Sequence, residues 1–140
     1  MPFLTSNTDL FNEGRPSEKA YLDYFRGLIR ESGPVLTNIS EAVQSSSTDV
    51  VIGCSFGRDR TGLVCAVLQL QNGIPPRNII HRERAYVRDE NRCKIALEEY
   101  AGKVGTTVAE LHRRDNERLN ALAKLIDIDL QVYVRAGRGE

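Results

Sequence analysis

The clearest pattern of apolar and polar positions along the chain is a short apolar run, a polar loop and a longer apolar run. Residues 50–52 are apolar and β-branched without interruption, which favours a buried central strand of a parallel sheet. Residues 53–60 are polar and contain two glycines. Residues 61–72 are apolar on most sides, which predicts a buried helix. The chain is therefore predicted to be organised around a strand, a tight loop and a helix N-terminus.

Helical periodicity recurs along most of the remaining chain. Tyr21, Phe25 and Leu28 form one apolar face of a helix that begins at Pro16. This helix is predicted to end at residues 32–34, where a second helix begins. The other predicted helices cover residues 75–87, 91–101 and 107–126.

Two further strands are predicted more weakly from the sequence. Residues 1–16 are polar and irregular, and form either a short edge strand or an ordered arm. Leu130, Val132 and Val134 alternate with other positions, which predicts a short strand. The predicted fold class is thus α/β and helix-rich, with a small, mostly parallel sheet. Two arrangements fit this pattern. One is a compact version of such a fold, and the other is a homo-oligomer in which neighbouring chains complete the sheet or cover the pocket.

Length and composition indicate one compact domain over residues 1–140, because 140 residues suffice for a single core. Nineteen basic and nineteen acidic side chains leave no net charge, which argues against a nucleic-acid or membrane partner. The chain has no signal peptide or long apolar stretch, so a cytoplasmic protein is expected. Its three cysteines form no CxxC pair and its histidines have no ligand neighbours, so neither a metal site nor a cofactor is expected.

The polar loop carries the residues with candidate chemistry. Five residues separate Cys54 from Arg60, and Thr61 follows at the start of the predicted helix. The first amides of a helix attract anions, and the pKa of a thiol can fall at such a position. Arg60 offers a planar fork of donors for two phosphoryl oxygens, and Gly57 lets the loop bend so that its amides converge. The Thr61 hydroxyl is within one residue of Arg60 and is expected to bond the sulfur.

Residues 54–62 read C-S-F-G-R-D-R-T-G. This stretch resembles the signature loop C-x5-R-[ST] of the cysteine-dependent protein tyrosine phosphatase superfamily, and it is most similar to the branch that reads C-x-x-G-K-D-R-T-G. Similarity to that branch extends from about Tyr21 to Tyr86. The resemblance implies a tyrosine phosphatase-like fold and hydrolysis of phosphate monoesters through a cysteinyl-phosphate intermediate.

The resemblance also implies roles for individual residues. Cys54 is the expected nucleophile, Arg60 the phosphate clamp and Thr61 the group that eases departure of the thiolate. Asp59 is the expected general acid, with Asp23 and then Asp9 as alternatives. The expected phosphate-binding residues are Ser55, Phe56, Gly57, Arg58, Asp59 and Arg60.

Two positions depart from the pattern of the resembled family, and one acid has a second interpretation. Gly53 stands where relatives commonly have histidine, and Arg58 stands where the most similar branch has lysine. Arg58 keeps the charge but changes the donor geometry. Asp59 could also be a carboxylate that braces the loop by pairing with Arg58 or Arg60.

The loop fits some functions better than others. A nucleotide-binding P-loop is disfavoured because Leu63 and Val64 occupy the positions of its lysine and hydroxyl residues. Phosphotyrosine in a phosphoprotein and a small phosphate, such as a sugar, inositol or nucleoside phosphate, are the two substrate classes. The first needs aromatic pocket walls, which the sequence does not identify. The alternative functions are an inactive phosphate-binding module and a thiol enzyme such as a sulfur transferase or arsenate reductase.

Overall fold

The computed structural model describes residues 17–54, 59–85 and 90–140. Within these ranges the chain forms six α-helices and one π-helical segment. The α-helices are α1 (Glu18–Ser45), α2 (Asp59–Gln71), α3 (Pro76–Ala85), α4 (Glu90–Lys103), α5 (Val108–Lys124) and α6 (Leu130–Gly137). The π-helical segment Leu125–Asp129 joins α5 to α6. The predicted edge strand or arm at residues 1–16 lies outside the described ranges.

The long helix α1 is broken where the sequence predicts one helix to end and another to begin. Ser17 caps its N-terminus, because the Ser17 hydroxyl accepts a hydrogen bond from the amide of Ala20 at 3.2 Å. Ser32 has φ −120° and ψ 16°, which lie outside the helical region, and Pro34 follows it. Proline lacks an amide hydrogen and its ring meets the carbonyl of the preceding turn, so the helix bends here.

The predicted α/β fold with a small parallel sheet is wrong, because the described part of the chain is helical and contains no strand. Residues 50–54 are irregular, and Val51 is 95% exposed where a central strand would bury it. A parallel strand needs a neighbour to satisfy its backbone hydrogen bonds, and no described segment supplies one. An apolar run of three residues did not carry enough information to predict such a neighbour.

The predicted strand at residues 130–134 is also wrong, since α6 occupies these positions. Leu130 and Val134 are buried, whereas Val132 is 62% exposed. Positions four apart share a face on a helix and on a strand alike, so five alternating residues fit both structures. Continuation of the preceding helix through the π-helical segment decides between them in favour of the helix.

Helix α2 is central to the hydrophobic core, and α1, α3 and α6 all contact it. The largest fully buried apolar side chains are Phe25, Leu28, Leu36, Leu63, Val67, Ile79, Leu122, Leu125, Ile126 and Leu130. Because Asp59, Arg60 and Thr61 form the first turn of α2, packing of this helix fixes the direction of that turn. The core thereby positions the residues that the sequence singles out.

The packing of α2 predicts a large difference between two identical substitutions. Val67→Ala removes two buried methyl groups from α2 at a site that is 1% exposed, and should lower the free energy of unfolding by about 2 kcal/mol. Val132→Ala removes the same atoms from α6 at a site that is 62% exposed, and should change it by less than about 0.5 kcal/mol. Urea unfolding followed by circular dichroism measures both. Equal losses would contradict the central position of α2.

Candidate active site

The described candidate residues meet at the N-terminus of α2. Cys54 ends the irregular segment before the helix, and Asp59 is the first residue of the helix. Arg60 and Thr61 complete its first turn. The four remaining predicted phosphate-binding residues, Ser55, Phe56, Gly57 and Arg58, lie outside the described residues. The structure therefore gives the two ends of the loop and the helix that follows it.

The Cys54 sulfur is joined to the first turn of α2 by a hydrogen bond. The Thr61 hydroxyl donates to Cys54 Sγ at 3.0 Å, and the pair is partly buried. A hydroxyl donor stabilises a thiolate more than a thiol, because a hydrogen bond to an ionised acceptor is the stronger of the two. The amides at the start of α2 add their partial positive charge in the same place. The arrangement thus favours a nucleophilic sulfur beside an anion site.

Asp59 is connected to a helix that is distant in sequence. Its Oδ1 lies 3.7 Å from Nε of Arg118, a residue of α5 whose side chain is 9% exposed. The Asp59 side chain itself is 33% exposed, so it reaches both the interior and the surface. In the alternative interpretation, in which Asp59 braces the loop, its expected partner was Arg58 or Arg60. The structure adds Arg118, which ties the start of α2 to α5.

The Arg118 guanidinium interacts with several carboxyl groups near the first turn of α2. Its Nε donates to Asp115 Oδ1 at 3.2 Å, one turn earlier on α5. Glu83 on α3 approaches the same place, because a Cβ atom added to Gly62 would lie 3.9 Å from both Glu83 carboxyl oxygens. Burial raises the pKa of the Glu83 carboxyl; the Arg118 charge opposes this rise, and the Asp115 charge adds to it. We call Asp59, Glu83, Asp115 and Arg118 the charge cluster.

The raised pKa of Glu83 predicts how stability depends on pH. The folded chain holds the Glu83 proton more tightly than the unfolded chain, whose ordinary pKa is 4.5. Its contribution to stability is therefore fully present below pH 4.5 and is lost as the pH rises through the raised value. Glutamine stays neutral, so the free energy of unfolding of Glu83→Gln minus that of the wild type should increase as the pH rises from 4.5 towards neutrality.

Urea unfolding at a series of pH values measures this difference. The exposed Glu98→Gln on α4 is the reference for loss of a surface carboxyl. A difference for Glu83→Gln that stays constant or decreases with pH would show that Glu83 does not hold its proton in the folded chain.

Tyr24 on α1 is a site residue that the sequence did not indicate. Burial raises the pKa of its hydroxyl, the Asp59 and Cys54 charges raise it further, and the Arg60 charge lowers it. The Tyr24 hydroxyl is therefore near enough to Cys54, Asp59 and Arg60 to experience their charges. In the sequence, Tyr24 lies beside the apolar face of α1. Many core residues occupy such a position, so it does not indicate a functional site.

Asp23, the alternative acid, has a different environment from its neighbour Tyr24. Its Oδ2 accepts a hydrogen bond from Nζ of Lys19 at 2.8 Å on an exposed part of α1. Consecutive residues of a helix point about 100° apart, so the two side chains face different directions. Asp9, the third alternative, lies outside the described residues.

The second described cysteine differs from Cys54 in its electrostatics. Cys65 lies about two turns into α2, is half-buried and is a free thiol. Burial raises the pKa of the Cys65 thiol, and the nearby Glu83 charge raises it further. A thiol that keeps its proton is a poor nucleophile, so Cys65 fits a packing role.

Two absences within the described residues concern metal ions and membranes. In residues 17–54, 59–85 and 90–140, no group of three or more histidine, cysteine, aspartate or glutamate side chains is arranged to hold a metal ion. None of the helices in this part of the chain combines the length and apolar character needed to cross a membrane.

Comparison with known proteins identifies the family. A family model described as "Tyrosine phosphatase family" matches residues 5–131, a range that contains Cys54, Asp59, Arg60 and Thr61. No curated protein and no solved structure matches the chain. The match supports a phosphatase-type function with phosphorylated substrates, and it confirms the predicted membership in the tyrosine phosphatase superfamily. Since the match covers most of its 140 residues, the chain belongs to the tyrosine phosphatase family.

Proposed function

We propose that the chain is a phosphomonoesterase in which Cys54 is the nucleophile and a cysteinyl-phosphate is the intermediate. The observation that most strongly supports this proposal is the hydrogen bond from the Thr61 hydroxyl to Cys54 Sγ at 3.0 Å, at the N-terminus of α2. A thiolate nucleophile next to a helix N-terminus can attack an anion that the same helix attracts. The family assignment agrees with this chemistry.

In the first step the Cys54 thiolate attacks phosphorus, so that an S–P bond forms while the P–O ester bond breaks. Asp59 gives its proton to the leaving oxygen, which departs as a neutral alcohol or phenol. Arg60 and the loop amides stabilise the charge on the three non-bridging oxygens. The proposed phosphate-binding residues are Ser55, Phe56, Gly57, Arg58, Asp59 and Arg60. This mechanism requires no metal or cofactor.

In the second step water attacks the phosphorus of the cysteinyl-phosphate and the S–P bond breaks. The Asp59 carboxylate now accepts a proton from the water, and inorganic phosphate is released. Sulfur departs as a thiolate, and the Thr61 hydroxyl donates to it at the distance found in the structure, 3.0 Å. Thr61 therefore contributes most when the sulfur regains its charge.

The proposed substrates are phosphotyrosine in a protein and a small-molecule phosphate. Tyr24 is an aromatic residue near enough to Cys54, Asp59 and Arg60 for their charges to act on its hydroxyl, which supports an aryl phosphate as one substrate. Because a thiolate nucleophile is easily oxidised, we also propose that the enzyme acts in the reducing cytoplasm.

Hydrolysis of an aryl phosphate in the presence of a chelator tests the proposal. Wild-type chain should release inorganic phosphate, and Asp59→Asn should be slower by about 10²-fold or more on a phenolic substrate, since a general acid contributes on this scale. Phosphotyrosine peptides and sugar, inositol and nucleoside phosphates then identify the substrate class. Binding of phosphate without turnover by the wild-type chain would contradict the enzymatic proposal and favour a phosphate-binding module.

A further inference from the structure

We propose that Arg118 is the positioning residue of the general acid: it holds the Asp59 carboxyl in the orientation from which a proton reaches the leaving oxygen. This inference rests on the proposed function, because it assigns a task to Arg118 within that reaction. The observation that carries it is the ion pair between Arg118 Nε and Asp59 Oδ1 at 3.7 Å. It connects a nearly buried guanidinium to the first residue of the helix that bears the site.

Arg118 is suited to positioning because it is itself held in place. Its Nε donates to Asp115 Oδ1 at 3.2 Å, and its side chain is only 9% exposed. Its helix, α5, is fixed against α1 by Glu117, whose Oε2 accepts a hydrogen bond from the backbone amide of Glu18 at 2.7 Å. A group on such a rigid element can define the direction of a neighbouring side chain better than a loop residue can.

The Arg118 guanidinium has donor capacity beyond the contacts already described. Its Nη1 is buried and makes no hydrogen bond to any described residue. The 3.7 Å between Arg118 Nε and Asp59 Oδ1 exceeds a hydrogen bond by about half an ångström. Because the single Nε hydrogen is already donated to Asp115, the Nη1 hydrogens are the ones available for a hydrogen bond to the Asp59 carboxyl.

The pair also determines which carboxyl oxygen carries the proton. Protonation of Oδ1 is unfavourable because this oxygen faces the Arg118 cation at 3.7 Å. The proton that Asp59 donates is therefore carried on Oδ2. The other carboxyl groups of the charge cluster, Asp115 and Glu83, share the Arg118 charge, which limits how strongly it favours ionised Asp59.

The test is the dependence of kcat/KM on the leaving group, measured with aryl phosphates that range from 4-nitrophenyl phosphate to phenyl phosphate. A general acid matters most when the leaving oxygen is a strong base. Arg118→Met should therefore reduce kcat/KM for phenyl phosphate by about 10- to 100-fold more than for 4-nitrophenyl phosphate. Arg118→Lys, which keeps a cation and is the safer variant for folding, should fall between the wild type and Arg118→Met.

Two comparisons separate positioning from a structural role. Arg114→Met is the matched control, because Arg114 lies on the same helix, is 20% exposed and pairs at 3.3 Å with Glu110, which is not a member of the charge cluster. It should keep the wild-type dependence on the leaving group. The double variant Asp59→Asn/Arg118→Met should show the same dependence as Asp59→Asn alone, because Arg118 acts through Asp59.

The outcomes distinguish failure of the inference from failure of the proposed function. If hydrolysis requires Cys54 and Asp59→Asn steepens the dependence on the leaving group, but both Arg118 variants keep the wild-type dependence, the inference alone is overturned. Equal losses on all substrates, or further steepening in the double variant, also overturn it. If hydrolysis does not require Cys54, or Asp59→Asn leaves the dependence unchanged, the proposed reaction fails and the inference fails with it.

Discussion

Cys54→Ser is expected to reduce hydrolysis of an aryl phosphate by about 10⁴-fold or more, the scale on which loss of a covalent nucleophile acts. Serine fills nearly the same volume, and the Thr61 hydroxyl that lies 3.0 Å from Cys54 Sγ can still donate to it. Its hydroxyl nevertheless stays protonated at neutral pH, because the helix N-terminus and one donor cannot ionise an alcohol. Phosphate binding should therefore persist while turnover is lost.

Cys65→Ser is the control for this substitution. Cys65 is the other described free cysteine, it lies within α2, and burial raises the pKa of its thiol. The same chemical change at this position should leave kcat within about 3-fold of the wild type, because the first turn of α2 is preserved. Turnover by Cys54→Ser that equals the wild-type rate would exclude a cysteinyl-phosphate. A loss of activity in both variants would indicate that serine disturbs α2 in general.

Arg60→Met is expected to reduce kcat/KM by about 10³-fold, because it removes a charged fork from the oxygens on which transition-state charge lies. Arg60 lies in the first turn of α2, and its charge lowers the pKa of the Tyr24 hydroxyl. The charge of Cys54 acts on the same hydroxyl. Arg60→Lys keeps the charge but loses the two parallel donors, so it should recover only part of the activity.

Arg82→Met is the control for general loss of positive charge, because Arg82 is exposed on α3. Its kcat/KM should change by less than about 3-fold at physiological ionic strength, since exposed charges are screened. Initial rates on one aryl phosphate, measured for all three variants, give the comparison. Full activity of Arg60→Met would remove Arg60 from the phosphate clamp, and full activity of Arg60→Lys would reduce its role to a point charge.

The α-helices other than α6 were predictable from the sequence, because their signals are local. The apolar spacing of Tyr21, Phe25 and Leu28 predicts α1, and all three side chains are buried. The N-cap Thr107, whose hydroxyl accepts from the amide of Glu110 at 3.2 Å, likewise marks the start of α5. The sheet was not predictable in the same way, because a strand exists only with a partner. Val51 has the composition of a strand residue but is 95% exposed.

In the candidate site, too, local contacts were predictable from the sequence and contacts between distant residues were not. The relation of Cys54 to Thr61 follows from seven residues of local sequence, and the structure places their side chains 3.0 Å apart. Arg118 could not be predicted as a partner of Asp59, because packing of α5 near the start of α2 brings them together. In the sequence, Arg118 resembles any charged residue on a solvated helix face. Tyr24 was missed for a related reason, since helical spacing does not say which loop a side chain will approach.

The helices of the described residues also indicate how the proposed phosphate site could be built without a sheet. The chemistry needs the amides of one helix, a sulfur in front of them and a guanidinium in the first turn. Helix α2 supplies the first and third of these, and burial of Leu63 and Val67 in the core holds it in place. The charge cluster then connects the same turn to α3 and α5. None of these contacts depends on a sheet.

The most direct test of the account is to detect the covalent intermediate. Wild-type chain is mixed with an aryl phosphate, quenched in acid within the first turnovers and digested for mass spectrometry. The account predicts that the peptide containing Cys54 gains the mass of one phosphoryl group, that the peptide containing Cys65 gains none, and that Cys54→Ser shows no labelled peptide. Turnover of the substrate without any phosphoryl group on Cys54 would contradict it.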